Sequence, residues 1–238
     1  MTEELFRQDS YLQACEATVT AVDGGGICLD RTVFYPMGGG QPGDRGELRT
    51  ADGRVVAIAD CQKDEAGGDL VHVPAEGAPA LAVGDAVTAE IDWPRRHRLM
   101  RMHTCLHLLC SLVDAPVTGG SVGEDRGRLD FDLEQSPDKA ALNEALNRLV
   151  AEDHPVAFSW ITDAELDANP DLVRTMSVQP PRGSGQIRVV DVQGVDLQPC
   201  GGTHVKSTGE IGPVRVGKIE NKGRQNRRIN IHLEDARP

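Results

Sequence analysis

The sequence lacks any long apolar run. No segment approaches the roughly 18 consecutive apolar residues that a membrane-spanning helix needs, which excludes helical integral membrane proteins. The first residues, MTEELFRQDSY, are charged and contain no apolar core of a signal peptide. We therefore expect a soluble, cytoplasmic protein with no membrane partner.

The cysteines lack the regular spacing of a disulfide framework. The chain has 238 residues and six cysteines: Cys15, Cys28, Cys61, Cys105, Cys110 and Cys200. Without a secretion signal, cysteines scattered in this way are expected as reduced thiols, with one of them a candidate metal ligand.

Basic residues are scarce except in two clusters. The formal net charge is −12, and residues 1–92 hold 17 acidic residues against 6 basic ones, which argues against a nucleic-acid partner. Residues 206–238 reverse the balance, with 8 basic and 4 acidic residues. The segments RRHRLMR (95–101) and KIENKGRQNRR (218–228) are either RNA-binding patches or a solvated helix face and a charged hairpin.

The pattern of the chain changes near Asp92. Residues 1–92 contain short runs of β-branched and apolar residues separated by glycine-rich turns, which indicate a small barrel or sandwich. Residues 93–238 contain two helical patterns, one after Asp92 and one after Pro137, together with several hairpin-linked strands. The fold class is therefore α+β, with a small N-terminal β-barrel-like domain at 1–92 and a mostly antiparallel α+β domain at 93–238.

Two pairs of residues have the chemistry of zinc ligands. His103 and His107 lie four apart in a predicted helix, so both imidazoles can reach one ion. Cys200 and His204, in QPCGGTHV, have the same spacing in a glycine-rich turn. Thiolate and imidazole suit zinc, and two such pairs together predict a zinc site far better than either alone.

These motifs resemble the editing domain of alanyl-tRNA synthetase and its free-standing AlaX-type relatives. The resemblance extends to TVFYPMGGGQPGDRG (32–46), GGSVGEDRGRLDFDL (119–133) and TGEIGPVRVGKIENKGRQNRRI (208–229), and covers about residues 15–233. The first of these segments is no Walker loop, because the Gly-Lys-Ser/Thr ending is missing. No ATP-site motif is visible, and the chain is too short to hold aminoacylation and anticodon-reading domains as well.

The resemblance implies a trans-editing hydrolase that deacylates mischarged tRNA(Ala), chiefly Ser-tRNA(Ala), with Gly-tRNA(Ala) as a second candidate substrate and Zn²⁺ as cofactor. Catalysis would run through zinc held by His103, His107, Cys200 and His204. The expected substrate-binding residues are Gly38, Gly39, Gly40, Gln41, Gly120, Ser121 and Thr203. The expected contacts to the tRNA acceptor end are Arg95, Arg96, Lys218, Arg224, Arg227 and Arg228. At Thr118 the chain departs from the glutamine of many synthetase editing domains.

Several alternatives remain at this level. Threonyl-tRNA synthetase editing of Ser-tRNA(Thr) uses the same ligand pattern. Four protein ligands also fit the closed zinc site of a non-catalytic RNA-binding module. A catalytic site needs one ligand that binds loosely, and the glycines beside Cys200 predict this freedom for the Cys200–His204 pair. A metallopeptidase is disfavoured because no glutamate accompanies the histidines. Thr104 would bind substrate or its own backbone, and Asp130 with Asp132 would form an acid/base pair or a solvated strand face.

Overall fold

Helices and mostly antiparallel strands make up this chain, and the computed structural model describes them at residues 1–24, 26–64, 69–176 and 185–234. Two units result, Met1–His97 and Arg98–Pro238, and their boundary falls inside the first α-helix. The mixed α and β composition agrees with the sequence prediction, whereas the functional division after residue 92 stays a prediction. None of the helices in the described ranges is long and apolar enough to cross a membrane.

A closed barrel forms the first unit. Its six strands are Ala14–Asp23 (β2), Gly26–Leu29 (β3), Gly46–Thr50 (β5), Val55–Lys63 (β6), Leu70–Pro74 (β7) and Ala86–Ile91 (β8), in the order β2-β3-β7-β6-β5-β8. Two short strands, Glu3–Glu4 (β1) and Arg31–Thr32 (β4), pair with each other in parallel. Because strand side chains alternate between faces, Val19, Leu48 and Val56 are buried in the barrel core.

The glycine-rich segment connects β4 to β5. Gly38 and Gln41 exchange backbone hydrogen bonds of 3.0 Å across a tight turn, in which Gly39 and Gly40 have φ angles of 58° and 82°. Such φ angles are costly for residues with a Cβ atom. At Gly43 a Cβ atom would collide with the backbone of Cys61, so this glycine permits a close approach of two chain segments.

The second unit contains two antiparallel sheets and most of the helical residues. The helices are Trp93–Leu112 (α1, which begins in the first unit), Lys139–Ala151 (α2) and Asp163–Ala168 (α3). The strands are Val117–Ser121 (β9), Arg126–Asp132 (β10), Val156–Ile161 (β11), Ile187–Val192 (β12), Asp196–Pro199 (β13), Val214–Asn221 (β14) and Asn226–Leu233 (β15). The sheet orders are β14-β15-β10-β9 and β11-β12-β13.

Both long helices follow their sequence patterns. The Asp92 carboxylate accepts a hydrogen bond of 3.1 Å from the Arg95 N–H, and Asp138 caps α2 in the same way through the Ala141 N–H at 2.8 Å. The apolar residues that repeat at helical spacing along α1, Leu99, Met102, Leu106 and Leu109, are buried, as are Leu142 and Leu146 of α2. Of the hairpin-linked strands expected from the sequence, β14 and β15 form the last pair in the chain.

Candidate metal centre

Four side chains with metal-ligating atoms converge in the second unit. His103 and His107 lie on one face of α1, while Cys200 and His204 lie on the loop that follows β13. One ligand atom of each residue lies within 4.8 Å of those of the other three. The Cys200 Sγ atom is 3.6 Å from His103 Nε2 and 3.3 Å from His204 Nε2. The two predicted pairs thus meet in one place, which we call the ligand cluster.

His107 is oriented by a buried carboxylate. Its Nδ1 atom lies 2.9 Å from Asp196 Oδ2, and the Asp196 side chain is only 4% exposed. The Gln198 amide in turn donates to both carboxylate oxygens of Asp196, at 2.8 and 3.0 Å. A histidine that uses one ring nitrogen in this way presents the other to a metal, as is usual in metalloproteins. Sequence reasoning missed Asp196; its position four residues before Cys200 was the available signal.

Thr104 orients His204. The Thr104 hydroxyl donates to the Met100 carbonyl at 2.9 Å and lies 3.2 Å from His204 Nδ1. With the hydroxyl proton used on Met100, the His204 Nδ1–H donates to Thr104 Oγ1, which leaves Nε2 directed at Cys200. Thr104 therefore makes the local backbone bond considered from the sequence, and in addition fixes a ligand.

Arg188 on β12 braces the ligand loop. Its Nη1 atom donates to the Cys200 carbonyl at 2.9 Å and to the Gly202 carbonyl at 3.0 Å. The Gly202 N–H points at Cys200 Sγ over 3.4 Å. The glycines predict a loose Cys200 side, but these bonds, with the Thr104 contact, argue against that freedom.

The charges within the ligand cluster are strongly coupled. Burial alone would raise the pKa of the Cys200 thiol, but the imidazoles of His103 and His204 outweigh burial and hold that pKa well below its usual range. Burial lowers the pKa of His107, yet Asp196 and Cys200 together raise it to about 10. Burial and the neighbouring His103 lower the pKa of His204 to about 3. The cluster thus favours a thiolate, which is the ligand form of cysteine.

The donor set fits a zinc ion. One thiolate and three imidazoles are the ligands and the number that tetrahedral Zn²⁺ prefers. The three histidines are each no more than 8% exposed, and two of them already have the second ring nitrogen engaged by Asp196 or Thr104. His204, whose pKa is lowered to about 3, already has the neutral form that a metal ligand needs, whereas His107, whose pKa is raised to about 10, would release a proton when a metal binds.

Two family models match the chain. Residues 187–230 match the threonyl and alanyl tRNA synthetase second additional domain, and residues 6–95 match the class II (A) tRNA synthetases. The first match includes the loop from Cys200 to His204. The second includes most of the barrel and its glycine-rich segment.

Relatives match the chain almost from end to end. The alanyl-tRNA editing protein AlaX-M of Methanosarcina acetivorans is 38% identical over 247 aligned residues, which cover 99% of this chain and 100% of that protein. The AlaX-M protein of Methanosarcina mazei is 39% identical, with 99% and 98% covered. The chain belongs to the AlaX-M family. An alanine–tRNA ligase of Pyrobaculum neutrophilum is 38% identical over 92% of this chain but only 25% of the ligase.

In this AlaX-M family member, the first basic cluster is buried. Arg96 is fully buried and bonds the Asp44 carboxylate and the Val33 carbonyl, the latter at 2.7 Å. Arg95 is 8% exposed and donates to the Gly43 carbonyl at 2.9 Å. These guanidinium groups hold the glycine-rich segment. They form neither a solvated face nor a surface that phosphate could reach.

The second basic cluster is divided between surface and interior. Lys218 and Arg224 are exposed. Arg228 is partly exposed and forms a two-bond ion pair with Asp130, both bonds being 2.8 Å. Arg227 is 8% exposed and donates to the carbonyls of Gly223 and Glu134. Of the predicted RNA contacts, Lys218 and Arg224 therefore remain fully available.

The predicted substrate-binding residues lie in both units. Gly120 and Ser121 are exposed at the end of β9, and Thr203 is fully buried within the ligand loop. Gly38, Gly39, Gly40 and Gln41 form the tight turn of the first unit, where the Gln41 side chain is fully buried. Asp130 forms ion pairs with Arg228 and Arg128. These ion pairs argue against the alternative in which Asp130 and Asp132 act as an acid/base pair.

Proposed function

We propose that this protein is a trans-editing hydrolase that cleaves the aminoacyl ester of mischarged tRNA(Ala), chiefly Ser-tRNA(Ala), with Gly-tRNA(Ala) as a second candidate substrate. The observation that carries the proposal is the ligand cluster, in a chain that matches alanyl-tRNA editing proteins over almost their whole length. Such a deacylase is useful because a synthetase pocket discriminates only weakly between amino acids that differ by one small group.

The metal we propose is zinc, held by His103, His107, Cys200 and His204. When bound, zinc would supply Lewis-acid chemistry, either by lowering the pKa of a water toward about 7 or by anchoring the amine of the amino acid. The chain's own residues prepare the site: Asp196 holds the proton on His107 Nδ1, and Thr104 holds the His204 ring. Arg188 fixes the backbone of the ligand loop through two carbonyls.

The remaining expected roles are divided between the two units. We propose that residues 93–238 carry out hydrolysis, with Gly120, Ser121 and Thr203 recognising the amino acid. The exposure of Gly120 and Ser121 supports this role, because their backbone and hydroxyl groups are accessible to a ligand. For residues 1–92 we propose that the turn at Gly38–Gln41 contributes to substrate discrimination.

A non-catalytic zinc module is the second candidate. The observation that favours it is the number of protein ligands, since four close the tetrahedral sphere as in structural zinc sites. Editing of Ser-tRNA(Thr) is the nearest enzymatic alternative, because the family that matches residues 187–230 includes both threonyl and alanyl tRNA synthetases. The AlaX-M relatives favour tRNA(Ala).

Deacylation of Ser-tRNA(Ala) by the purified protein tests the proposal. Ala-tRNA(Ala) and Ser-tRNA(Thr) are assayed in parallel, each with and without a chelator. We expect rapid, chelator-sensitive release of serine from tRNA(Ala), with alanine retained. Faster release from tRNA(Thr) would establish the threonyl alternative, and no turnover by a folded, zinc-loaded protein would establish the binding module.

A matched pair of variants connects activity to the ligand cluster. H103A removes a ligand, whereas H154A removes a histidine that bonds only Glu152 among the contacts described for its ring. We expect H103A to lose both zinc and turnover and H154A to keep both. Equal activity in the two variants would contradict a catalytic role for the metal.

A further inference from the structure

Two large aromatic side chains are exposed on one strand of the second unit. Phe158 is 42% exposed and Trp160 is 43% exposed, and both lie on β11. The whole sequence holds only 4 Phe, 2 Trp and 2 Tyr, so a quarter of its aromatic residues lie on this short strand. Exposed aromatic residues that lie together mark an interaction surface more often than scattered apolar residues do.

Both aromatic residues lie on the same face of the sheet as Arg188, the residue that braces the ligand loop. Positions 158 and 160 point to the same side, and Trp160 is the register partner of Arg188 on β12. The Arg188 guanidinium lies 4.7 Å from the centre of the Phe158 ring. The same guanidinium bonds the carbonyls of Cys200 and Gly202. The aromatic pair is therefore one side chain away from the ligand cluster.

We propose that Phe158 and Trp160 form a stacking surface for the unpaired nucleobases at the acceptor end of the tRNA. This inference rests on the proposed function, because the ester to be cleaved is attached to the last ribose of that unpaired end. When the ester lies at the ligand cluster, the last one or two bases of the RNA must lie beside that cluster. Aromatic rings bind such bases through their π faces, independently of sequence.

A second copy of the chain is the competing occupant. β11 is an edge strand of its sheet, and an edge strand can pair with another chain through its backbone. Backbone pairing between two copies does not require aromatic side chains, however, and gives no reason for them to lie beside the ligand loop, whereas the acceptor end of the tRNA must reach that loop. The position of the rings next to Arg188 therefore favours RNA.

Trp160 itself can report the binding. In a W93F background it is the only tryptophan, since the sequence contains two. The probe is the uncharged RNA tetranucleotide ACCA, titrated at constant ionic strength while Trp160 fluorescence is recorded. An abasic tetranucleotide of the same length and charge serves as the second probe. We expect quenching by ACCA, and binding of the abasic probe that is weaker by roughly tenfold to a hundredfold.

The variants F158L and W160L test the surface directly, with binding followed by calorimetry. Each should weaken ACCA binding by roughly tenfold while leaving the melting temperature and zinc content unchanged. L197A is the matched control: Leu197 is 44% exposed and lies on the opposite face of the same sheet, in register with Asp191 and Ala157. It should bind ACCA as the unaltered protein does.

The tetranucleotide carries no amino acid, so its binding and the deacylation assay can fail separately. Equal affinity for ACCA and the abasic probe, without quenching, would overturn the stacking surface even if deacylation is confirmed. A dimer in sedimentation experiments that F158L converts to monomer would assign the surface to self-association and overturn the proposal as well.

Discussion

At the scale of single residues, the ligands and the groups that orient them differ in how they can be recognised. The ligands share a spacing, four residues in each pair, and that spacing is visible in the sequence. Asp196 and Thr104 act through contacts with His107 and His204 that only the folded chain creates. In the sequence Thr104 is a candidate because it lies next to His103, but its contact with His204 is not predicted there, and Asp196 is missed altogether.

The Asp196 carboxylate should control metal affinity. We expect D196N to weaken zinc binding by about tenfold to a hundredfold, because the neutral amide polarises the His107 ring less and need not fix its tautomer. Competition with a chromophoric chelator measures this affinity. D191N, on the neighbouring strand β12 and without a described contact to the ligand cluster, is the matched control and should bind zinc normally. Unchanged affinity in D196N would show that the contact is not functional.

The ion pair between Arg96 and Asp44 should be among the strongest supports of the barrel unit. Both side chains are at most 1% exposed. D44A would leave the Arg96 guanidinium buried without its carboxylate, so we expect the free energy of unfolding to fall by about 3–5 kcal/mol. Chemical denaturation followed by circular dichroism measures the change. E47A, which removes a partner of the exposed Arg49, should have little effect; a similar loss in both would refute the special role of the buried pair.

The buried arginines of the first basic cluster show why a prediction of the RNA surface from charge alone was partly wrong. Arg95, Arg96, Arg98 and Arg101 are each at most 8% exposed, although their sequence reads as a basic cluster. Arg98 bonds the Asp125 carboxylate, and Arg101 bonds the Ile211 carbonyl at 2.9 Å. A run of arginines identifies charge but not its partners, and here the partners lie far away along the chain.

At the scale of elements, periodicity decided what could be predicted. The helices α1 and α2 and the barrel strands repeat apolar residues at helical or alternating spacing, so their existence followed from sequence. β9 has the sequence VTGGS, with one apolar residue, and α3 has fewer than two helical turns, so neither shows a repeated apolar pattern. β13 has only four residues and ends at Pro199, so its sequence predicts a turn more readily than a strand.

Within the barrel, His72 connects neighbouring elements and should make this unit sensitive to acid. Its Nδ1 lies 3.0 Å from the Ile27 carbonyl on β3, and its Nε2 lies 2.8 Å from the Thr32 hydroxyl on β4. Burial lowers the pKa of His72 to about 4. Between pH 4 and the usual histidine pKa of about 6.5, the unfolded chain therefore binds a proton that the folded barrel does not.

Stability of the barrel should consequently be constant above about pH 6.5 and decrease as the pH falls toward 4, by about 3 kcal/mol in total from this residue. Denaturation curves monitored by Trp93, in a W160F background, measure it across that range. H72Q should remove most of the slope, whereas H154Q, at a partly exposed position outside the barrel, should retain it. An identical slope in H72Q and the parent would assign the acid sensitivity to other groups.

At the scale of the whole molecule, net charge and RNA binding have to be reconciled. A protein of net charge −12 repels RNA at long range, so binding must depend on a local surface. Of the residues predicted to contact tRNA, Lys218 and Arg224 lie exposed on or just after β14, and Arg228 lies on the adjacent strand β15. Phosphate contacts of this kind release counterions, which makes affinity depend on salt.

The location of positive charge, and not its total, should therefore set the affinity for tRNA. The double variant K218A/R224A and the control R31A/R148A each remove two exposed positive charges, so both change the net charge equally. We expect K218A/R224A to reduce the slope of log affinity against log salt by about 2, because two phosphates are then no longer neutralised, and the control to leave the slope unchanged. Filter binding of uncharged tRNA(Ala) across a salt series measures both slopes. If both double variants reduce the slope equally, the interaction depends on overall charge, and the β14–β15 hairpin is not the RNA-binding surface.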